Sequence, residues 1–245
     1  MPLGSLSVGN TPVPIYAPPY TTEQNAFTGL NIITVFYRTS FEKARALIPD
    51  MLELEDEPLS TAMIIEYGMS TAGAYTEYVH QIEVTYKGEK FDYCVSLILN
   101  NESAIFSGRE QFGYPKRFGQ VTMQHLSGSA IMTGTVERPI GQSLIKVSFS
   151  PDKKIDLPTE PAKRALNLRV IPSPIAGSRP SVSELIPVLM DIQGGDLYAG
   201  KGSITFPQTS EFDPVYLLPV VRYEGATYWA NASAQLQPPD QLWSV

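Results

Sequence analysis

Tyr93-Cys-Val-Ser-Leu-Ile-Leu99 runs straight into Asn100-Asn-Glu-Ser-Ala-Ile-Phe-Ser-Gly-Arg-Glu-Gln-Phe-Gly-Tyr-Pro-Lys-Arg-Phe-Gly-Gln120. The first run is aliphatic and aromatic, and Asn100 bounds it, so it reads as a strand. The second ends in two adjacent cations, Lys116 and Arg117, set between Tyr114-Pro115 and Phe118-Gly119. Pro115 fixes its own φ and restricts Tyr114 before it. Gly113 and Gly119 permit sharp changes of direction. The segment therefore reads as a stiff, aromatic-flanked turn carrying two charges. It is either a solvated turn with ordinary surface cations, which loops commonly carry, or a lysine held for amine chemistry.

The chain on either side repeats the strand-and-turn pattern. Leu30–Arg38 is β-branched and aromatic, and Thr39-Ser40-Phe41-Glu42 matches a capping box for a helix that Pro49 ends. Thr61–Met69 reads as a largely buried strand with one carboxylate, Glu66. Val79–Tyr86 and Phe91–Leu99 form a hairpin closed by Lys87-Gly88-Glu89-Lys90. Gln120–His125, Ala130–Glu137 and Ser143–Ser150 make a meander, and Leu166–Ile171, Ser181–Met190, Gly200–Phe206, Val215–Tyr223 and Ala226–Leu236 read as further strands. No repeat period or strand–helix alternation occurs. The expectation is a mainly β (α+β) chain, with an extended arm over residues 1–25 and a single domain over 26–245. That domain is antiparallel sheet, a sandwich or closed barrel with a few short helices.

Composition narrows the function. Hydrophobic residues make up 43% and charged residues 18%, a globular balance. The net charge of −7 comes with no basic stripe, which argues against nucleic-acid binding. An anionic substrate then needs a local cationic site, and Lys116, Arg117 and Arg109 are the candidates. Cys94 is the single cysteine, so no intrachain disulfide forms, in keeping with a reducing, cytoplasmic setting. The first residues lack a charged region followed by an apolar one, so no secretory signal is expected, and no apolar run of membrane-spanning length occurs.

His80 and His125, without paired cysteines, do not make a zinc site. No phosphate-cradling glycine motif and no Gly-x-Ser-x-Gly elbow occurs, so no metal and no cofactor is expected. Lysine with carboxylates remains. An unperturbed lysine, with a pKa near 10.4, offers about one neutral amine in a few thousand at pH 7, and half at a pKa of about 7 costs roughly 4–5 kcal/mol. Apolar burial and a neighbouring cation are the two means. Phe112, Tyr114 and Phe118 are possible walls for Lys116, and Arg117 is beside it in sequence.

Asn101-Glu102, Gly108-Arg109-Glu110 and Tyr114-Pro115-Lys116-Arg117-Phe118-Gly119 resemble the signature of the acetoacetate decarboxylase family. Val35-Phe36-Tyr37-Arg38-Thr39, Glu57-Pro58-Leu59 and Tyr75-Thr76-Glu77 extend the resemblance, which is specific from about Phe27 to Gly119. It implies an acetoacetate decarboxylase-like fold, a lyase, a keto acid substrate, no cofactor, and a homo-oligomer. Lys116 stands where the family has its imine-forming lysine, and Glu77 where it has an active-site glutamate. Tyr114 would line the pocket. Arg117 replaces a second lysine, and Arg109 with Glu110 reads as a structural pair nearby.

Two positions depart from the family. Leu30 stands where the decarboxylases carry an arginine, and Ala62 where they carry a second glutamate. Glu66, four residues after Ala62, shares its face along an unbroken strand and is a partial replacement candidate. Three readings follow: a Schiff-base β-keto acid decarboxylase, an aldolase-dehydratase or cyclising enzyme using the same imine, and a non-catalytic small-molecule binder.

Overall fold

The computed structural model describes Met1 and residues 3–245. The chain order is β1 (Ala26–Arg38), α1 (Phe41–Ala44), β2 (Leu59–Tyr67), β3 (Met69–Ser70), β4 (Tyr75–Tyr86), β5 (Glu89–Leu99), α2 (Glu102–Phe112) and β6 (Lys116–Phe118). Then come β7 (Gln120–His125), β8 (Met132–Glu137), β9 (Ser143–Ile155), β10 (Ala165–Ile171), β11 (Val182–Gln193), β12 (Asp196–Thr205), β13 (Arg222–Gln237) and β14 (Trp243–Ser244). Single turns of 3-10 helix occupy Arg45–Leu47 and Pro214–Leu217.

All strands belong to one hydrogen-bonded sheet, with the path β14-β11-β10-β5-β4-β2-β1-β13-β12-β9-β8-β7. A further pairing of β11 with β13 joins the run β11-β10-β5-β4-β2-β1-β13 into a ring. Pairing is antiparallel except for β5 with β6 and β5 with β10. Because side chains alternate across a strand, β1, β2 and β4 feed two cores. Ile33, Val35, Ala62, Ile64 and Tyr78 point to one side, where β7, β8, β9 and β12 fold over them with Val121, Val136, Val147 and Ile204. Leu30, Ile32, Ile65, Tyr67, Tyr75 and Val79 point to the other side, where they meet Leu97, Leu99, Ile186 and Ala104 of α2. Lys116 emerges on this second side.

Three local expectations are corrected. The capping box at Thr39 does not form: Thr39 Oγ1 instead donates to Pro219 O at 2.9 Å, and the residue before the helix is Ser40. Val215–Tyr223 is not a strand. Pro214 opens a 3-10 turn that buries Val215 and Leu218, and Pro219, which lacks an N–H, stands between that turn and β13. The Lys116-Arg117 segment between Tyr114-Pro115 and Phe118-Gly119 is not a turn but the short strand β6, as described below. Among the described residues none before Ala26 lies in a helix or strand, and none of the helices is long and apolar enough to cross a membrane.

Candidate active site

The motif stretch folds as a helix followed by a short parallel strand. Asn101 caps α2, its side chain accepting from Ala104 N at 2.9 Å, and its Nδ2 donates to Ala72 O at 2.8 Å. Gly113 ends the helix in the left-handed region (φ 70). The buried face of α2 is Ala104, Ser107 and Gly108. Small residues carry it, so no large-apolar periodicity announces a helix. The available signals are the end-markers: Asn101 as cap, Glu102 in the first turn, Gly113 just past the end and Pro115 beyond.

β6 pairs in parallel with the end of β5, with Leu97 opposite Lys116, Ile98 opposite Arg117 and Leu99 opposite Phe118. The pleat therefore sends the two adjacent cations to opposite faces. Lys116 goes in beside Leu97 and is buried. Arg117 goes out to the other layer, where it pairs with Asp213 and donates to Ser96 Oγ at 2.9 Å and Phe212 O at 2.8 Å. Asp213 also accepts from Arg138 Nε at 3.0 Å. The expectation that Arg117 binds substrate, or serves as a cation at the Lys116 amine, is corrected by this divergence. Phe118 is exposed and does not wall the lysine.

Lys116 Nζ lies 3.0 Å from Glu77 Oε1, and both side chains are almost wholly out of solvent (9% and 3% exposed). Glu77 reaches the same face because it sits opposite Ile65 on β2 and Leu99 on β5. Tyr67 OH donates to Glu77 Oε2 at 3.1 Å, whereas Oε1 accepts no directed hydrogen bond. The contact with Lys116 is thus charge to charge, with Oε1 left able to accept. The ammonium also lies 5.6 Å from the Tyr114 ring centre and 6.0 Å from that of Tyr75. Tyr67 stacks on Tyr75 at 4.5 Å. Burial, with the Glu77 charge adding to it, pushes the Tyr67, Tyr75 and Tyr114 phenols well above the ordinary tyrosine range. They stand as neutral hydroxyls.

Lys116 opens onto a narrow cleft of ≈ 40 Å³. Its walls are aromatic (Tyr20, Phe27, Tyr75, Phe112, Tyr114) and hydroxylic (Thr21, Ser70, Thr71, Ser103, Ser107). Among the described residues lining it, Lys116 is the one charged side chain. Gly108 faces the lysine stem so closely that a Cβ there would fall 2.6 Å from Lys116 Cδ and Cε. Gly108 belongs to the family signature, whereas Tyr67, Phe27 and Tyr20 belong to the site although the sequence does not single them out. Their contribution is made by packing, which carries no local motif.

The remaining sequence candidates fall elsewhere. Ala62 and Glu66 do share a strand face, but it is the opposite face from Lys116. Ala62 packs in the other core, and exposed Glu66 accepts from Asn31 Nδ2 at 2.9 Å. Glu66 therefore does not replace a glutamate beside the lysine. Leu30 is fully buried in the core behind the site, and Phe27, not Leu30, reaches the cleft. Arg109 supports the lysine backbone, its Nη1 donating to Lys116 O at 3.2 Å, and Glu110 accepts from Tyr20 rather than pairing with Arg109. His80 is fully buried in the other layer among Tyr37, Ser60 and Tyr78. Cys94 is buried in the core. Among the described residues no three His, Cys, Asp or Glu side chains gather as metal ligands.

This geometry has relatives. The family model described as "Acetoacetate decarboxylase (ADC)" matches residues 12–239. Decarboxylase DEC1 of Cochliobolus heterostrophus is 41% identical over 230 residues, covering 91% of this chain and 90% of that protein. Acetoacetate decarboxylase of Burkholderia mallei is 31% identical over 216 residues, covering 85% and 82%. A solved acetoacetate decarboxylase superposes with a TM-score of 0.84 at 23% identity, covering 97% of this chain and 95% of that one. The enduracididine biosynthesis enzyme MppR, complexed with the condensation product of pyruvate and imidazole 4-carboxaldehyde, superposes at 0.79 with 18% identity, covering 99% of each chain. The last two likenesses speak to the fold; the match over nearly the whole chain to the family model, together with the curated relatives, means that the chain belongs to the acetoacetate decarboxylase family and is an enzyme of the lyase class.

Proposed function

We propose that the protein is a Schiff-base decarboxylase of β-keto acids, with the imine on Lys116. The observation that carries this reading is the Lys116–Glu77 pair, 3.0 Å apart at the wall of an aromatic cleft. Glu77 takes the ammonium proton, and the neutral amine attacks the ketone carbon. Water leaves, giving a protonated imine. The bond between the α-carbon and the carboxylate breaks, CO2 departs, and the electron pair moves into the imine to form an enamine. The proton that Glu77 took has left with the water, so Glu77 takes up a second proton from solvent, passes it to the enamine carbon, and water hydrolyses the protonated imine to release the ketone and the lysine. Tyr67 orients the carboxylate through Oε2, leaving Oε1 for the proton.

The lining also bears on the aldolase alternative. A 2-oxo acid keeps its carboxylate through an aldol addition, so its site gains from a fixed cation to hold that group. Beyond Lys116 the described lining has none, only hydroxyls and rings. A carboxylate that is to be lost is instead helped by leaving water for such walls. The test is borohydride trapping with a ketone followed by peptide mapping, beside CO2 release from acetoacetate. Reduction is expected to label Lys116, and Lys116→Ala to lose both label and turnover. Retained turnover in Lys116→Ala would sink the imine mechanism. Aldol product from pyruvate and an aldehyde, with no CO2 from any β-keto acid, would favour the alternative.

A further inference from the structure

The outer wall of the cleft is not made by the sheet. Tyr20, Thr21 and Asn25 supply it, and all precede β1. This segment is fastened in place at several points. Ser103 Oγ donates to Pro19 O at 2.5 Å, Tyr20 OH donates to Glu110 Oε2 at 2.7 Å, and Thr71 Oγ1 donates to Asn25 Oδ1 at 2.5 Å. Two of these partners, Ser103 and Glu110, lie on α2, the helix that packs against Lys116. Pro18 and Pro19 precede Tyr20 and restrict the backbone that delivers its ring.

Tyr20 also faces a second hollow. An open groove of ≈ 850 Å³ runs outside the cleft along the end of α2, β10 and the Pro238-Pro239 segment. Tyr20, Asn25, Phe112 and Leu236 line both spaces. They form the partition between them; Tyr20 and Asn25 are its members on the N-terminal segment, and Tyr20 is the aromatic one, its hydroxyl tied to Glu110. On the cleft side the partition is uncharged.

We infer that Tyr20 is a specificity-determining residue: its ring closes the Lys116 cleft against the outer groove and limits the length of uncharged chain that a keto acid carries beyond its ketone carbon. The inference rests on the decarboxylase reading for its substrate, and it assigns to that site monocarboxylic β-keto acids with an apolar chain. A ligand with a second charged group on that chain meets no counter-charge in the cleft, whereas an alkyl chain meets Phe27, Phe112 and Leu236. With Tyr20 cut back, the chain continues into the groove.

The experiment compares kcat/KM for CO2 release across acetoacetate, 3-oxohexanoate, 3-oxooctanoate and 3-oxodecanoate in wild type, Tyr20→Ala, Tyr20→Trp and Tyr20→Phe. The ratio of the longest acid to acetoacetate should rise about tenfold or more in Tyr20→Ala, the scale of discrimination that one or two methylenes carry in an apolar pocket. It should fall in Tyr20→Trp and stay at the wild-type value in Tyr20→Phe, which keeps the ring and loses the bond to Glu110. Melting temperatures monitor folding, and if Tyr20→Ala fails to fold the Tyr20→Trp ratio decides. A ratio unmoved in the folded variants overturns the inference and leaves the decarboxylase reading standing. In parallel, borohydride trapping on Lys116 is read with 2-alkanones of increasing length. If wild type traps ketones but releases no CO2 from any acid, the decarboxylase reading falls and the trapping series judges Tyr20 alone. If wild type neither traps nor releases CO2, both fall.

Discussion

Replacing Gly108 by alanine separates two consequences that usually run together. An alanine Cβ at this position falls 2.6 Å from Lys116 Cδ and Cε and 3.3 Å from Nζ. Carbon atoms in contact settle at about 3.5–4.0 Å, so the lysine stem has to move by roughly 0.9 Å or more. The stem is flexible, and the motion costs little stability. It carries the amine away from Glu77, however, and a misplacement of about 1 Å at a reacting group costs on the order of 10²-fold in rate. That is about 2.7 kcal/mol of transition-state stabilisation. Alanine meanwhile favours a helix interior over glycine by about 1 kcal/mol. Gly108→Ala should therefore hold or raise the melting temperature while lowering kcat on acetoacetate, and the rate of borohydride inactivation with acetone, by about 10²-fold. In Lys116→Ala, where the stem is gone, Gly108→Ala should raise the melting temperature by more than it does in wild type. Activity within about threefold of wild type, against the 10²-fold expected for a displaced amine, would refute the argument. So would a large fall in melting temperature, since the helix and not the lysine would then have absorbed the contact.

Other perturbations test the two layers separately. Glu77→Gln should lower kcat by about 10²–10⁴-fold, the range of a lost proton-transfer group, with circular dichroism unchanged; a loss below tenfold would remove Glu77 as the proton carrier. Asp213→Ala leaves Arg117 and Arg138 without their shared carboxylate, and should cost roughly 2–3 kcal/mol in urea unfolding, less than a fully buried pair because both guanidiniums keep solvent contact. Because that cluster lies on the far face from Lys116, ketone trapping should be unchanged, and a parallel loss of trapping would contradict the separation of the two cations. His80 is neutral and fully buried, with its pKa lowered by burial to about 3. Between that value and the ordinary one near 6.5 the unfolded chain binds a proton that the folded chain does not. Stability therefore falls as pH drops below about 6.5, by at most about 1.4 kcal/mol per unit. Urea midpoints measured from pH 7 to 5 should show this slope, and it should flatten in His80→Gln; an equal slope in both would assign the dependence to carboxylates.

The β class and most strands were legible from residue patterns, and Lys116 and Glu77 were singled out by the family resemblance; that the two pair was not. The β4–β5 hairpin was announced by Lys87-Gly88-Glu89-Lys90 and by strand-type runs on either side, although Glu89 and Lys90 already belong to β5. α2 was not, because its buried face is Ala104, Ser107 and Gly108, and small residues give no hydrophobic period even where a helix is capped at both ends. Thr39 matched a helix-capping motif, yet its hydroxyl went to Pro219 across the fold, a partner that local sequence does not reveal.

The chain by itself determined that a lysine and a cation sit side by side on a stiff stretch, and that Ala62 and Glu66 share one strand face. Only the tertiary structure decided which face that was. Pairing of β6 with Leu97–Leu99 turned Lys116 toward Glu77 and sent Arg117 to Asp213. Pairing of β2 with β4 put Ile65 opposite Glu77 and so turned Glu66 and Ala62 away from it. Strand alternation is a property of the backbone, but its sign relative to a site is set by the neighbouring strand, because a shift of one residue exchanges the two faces.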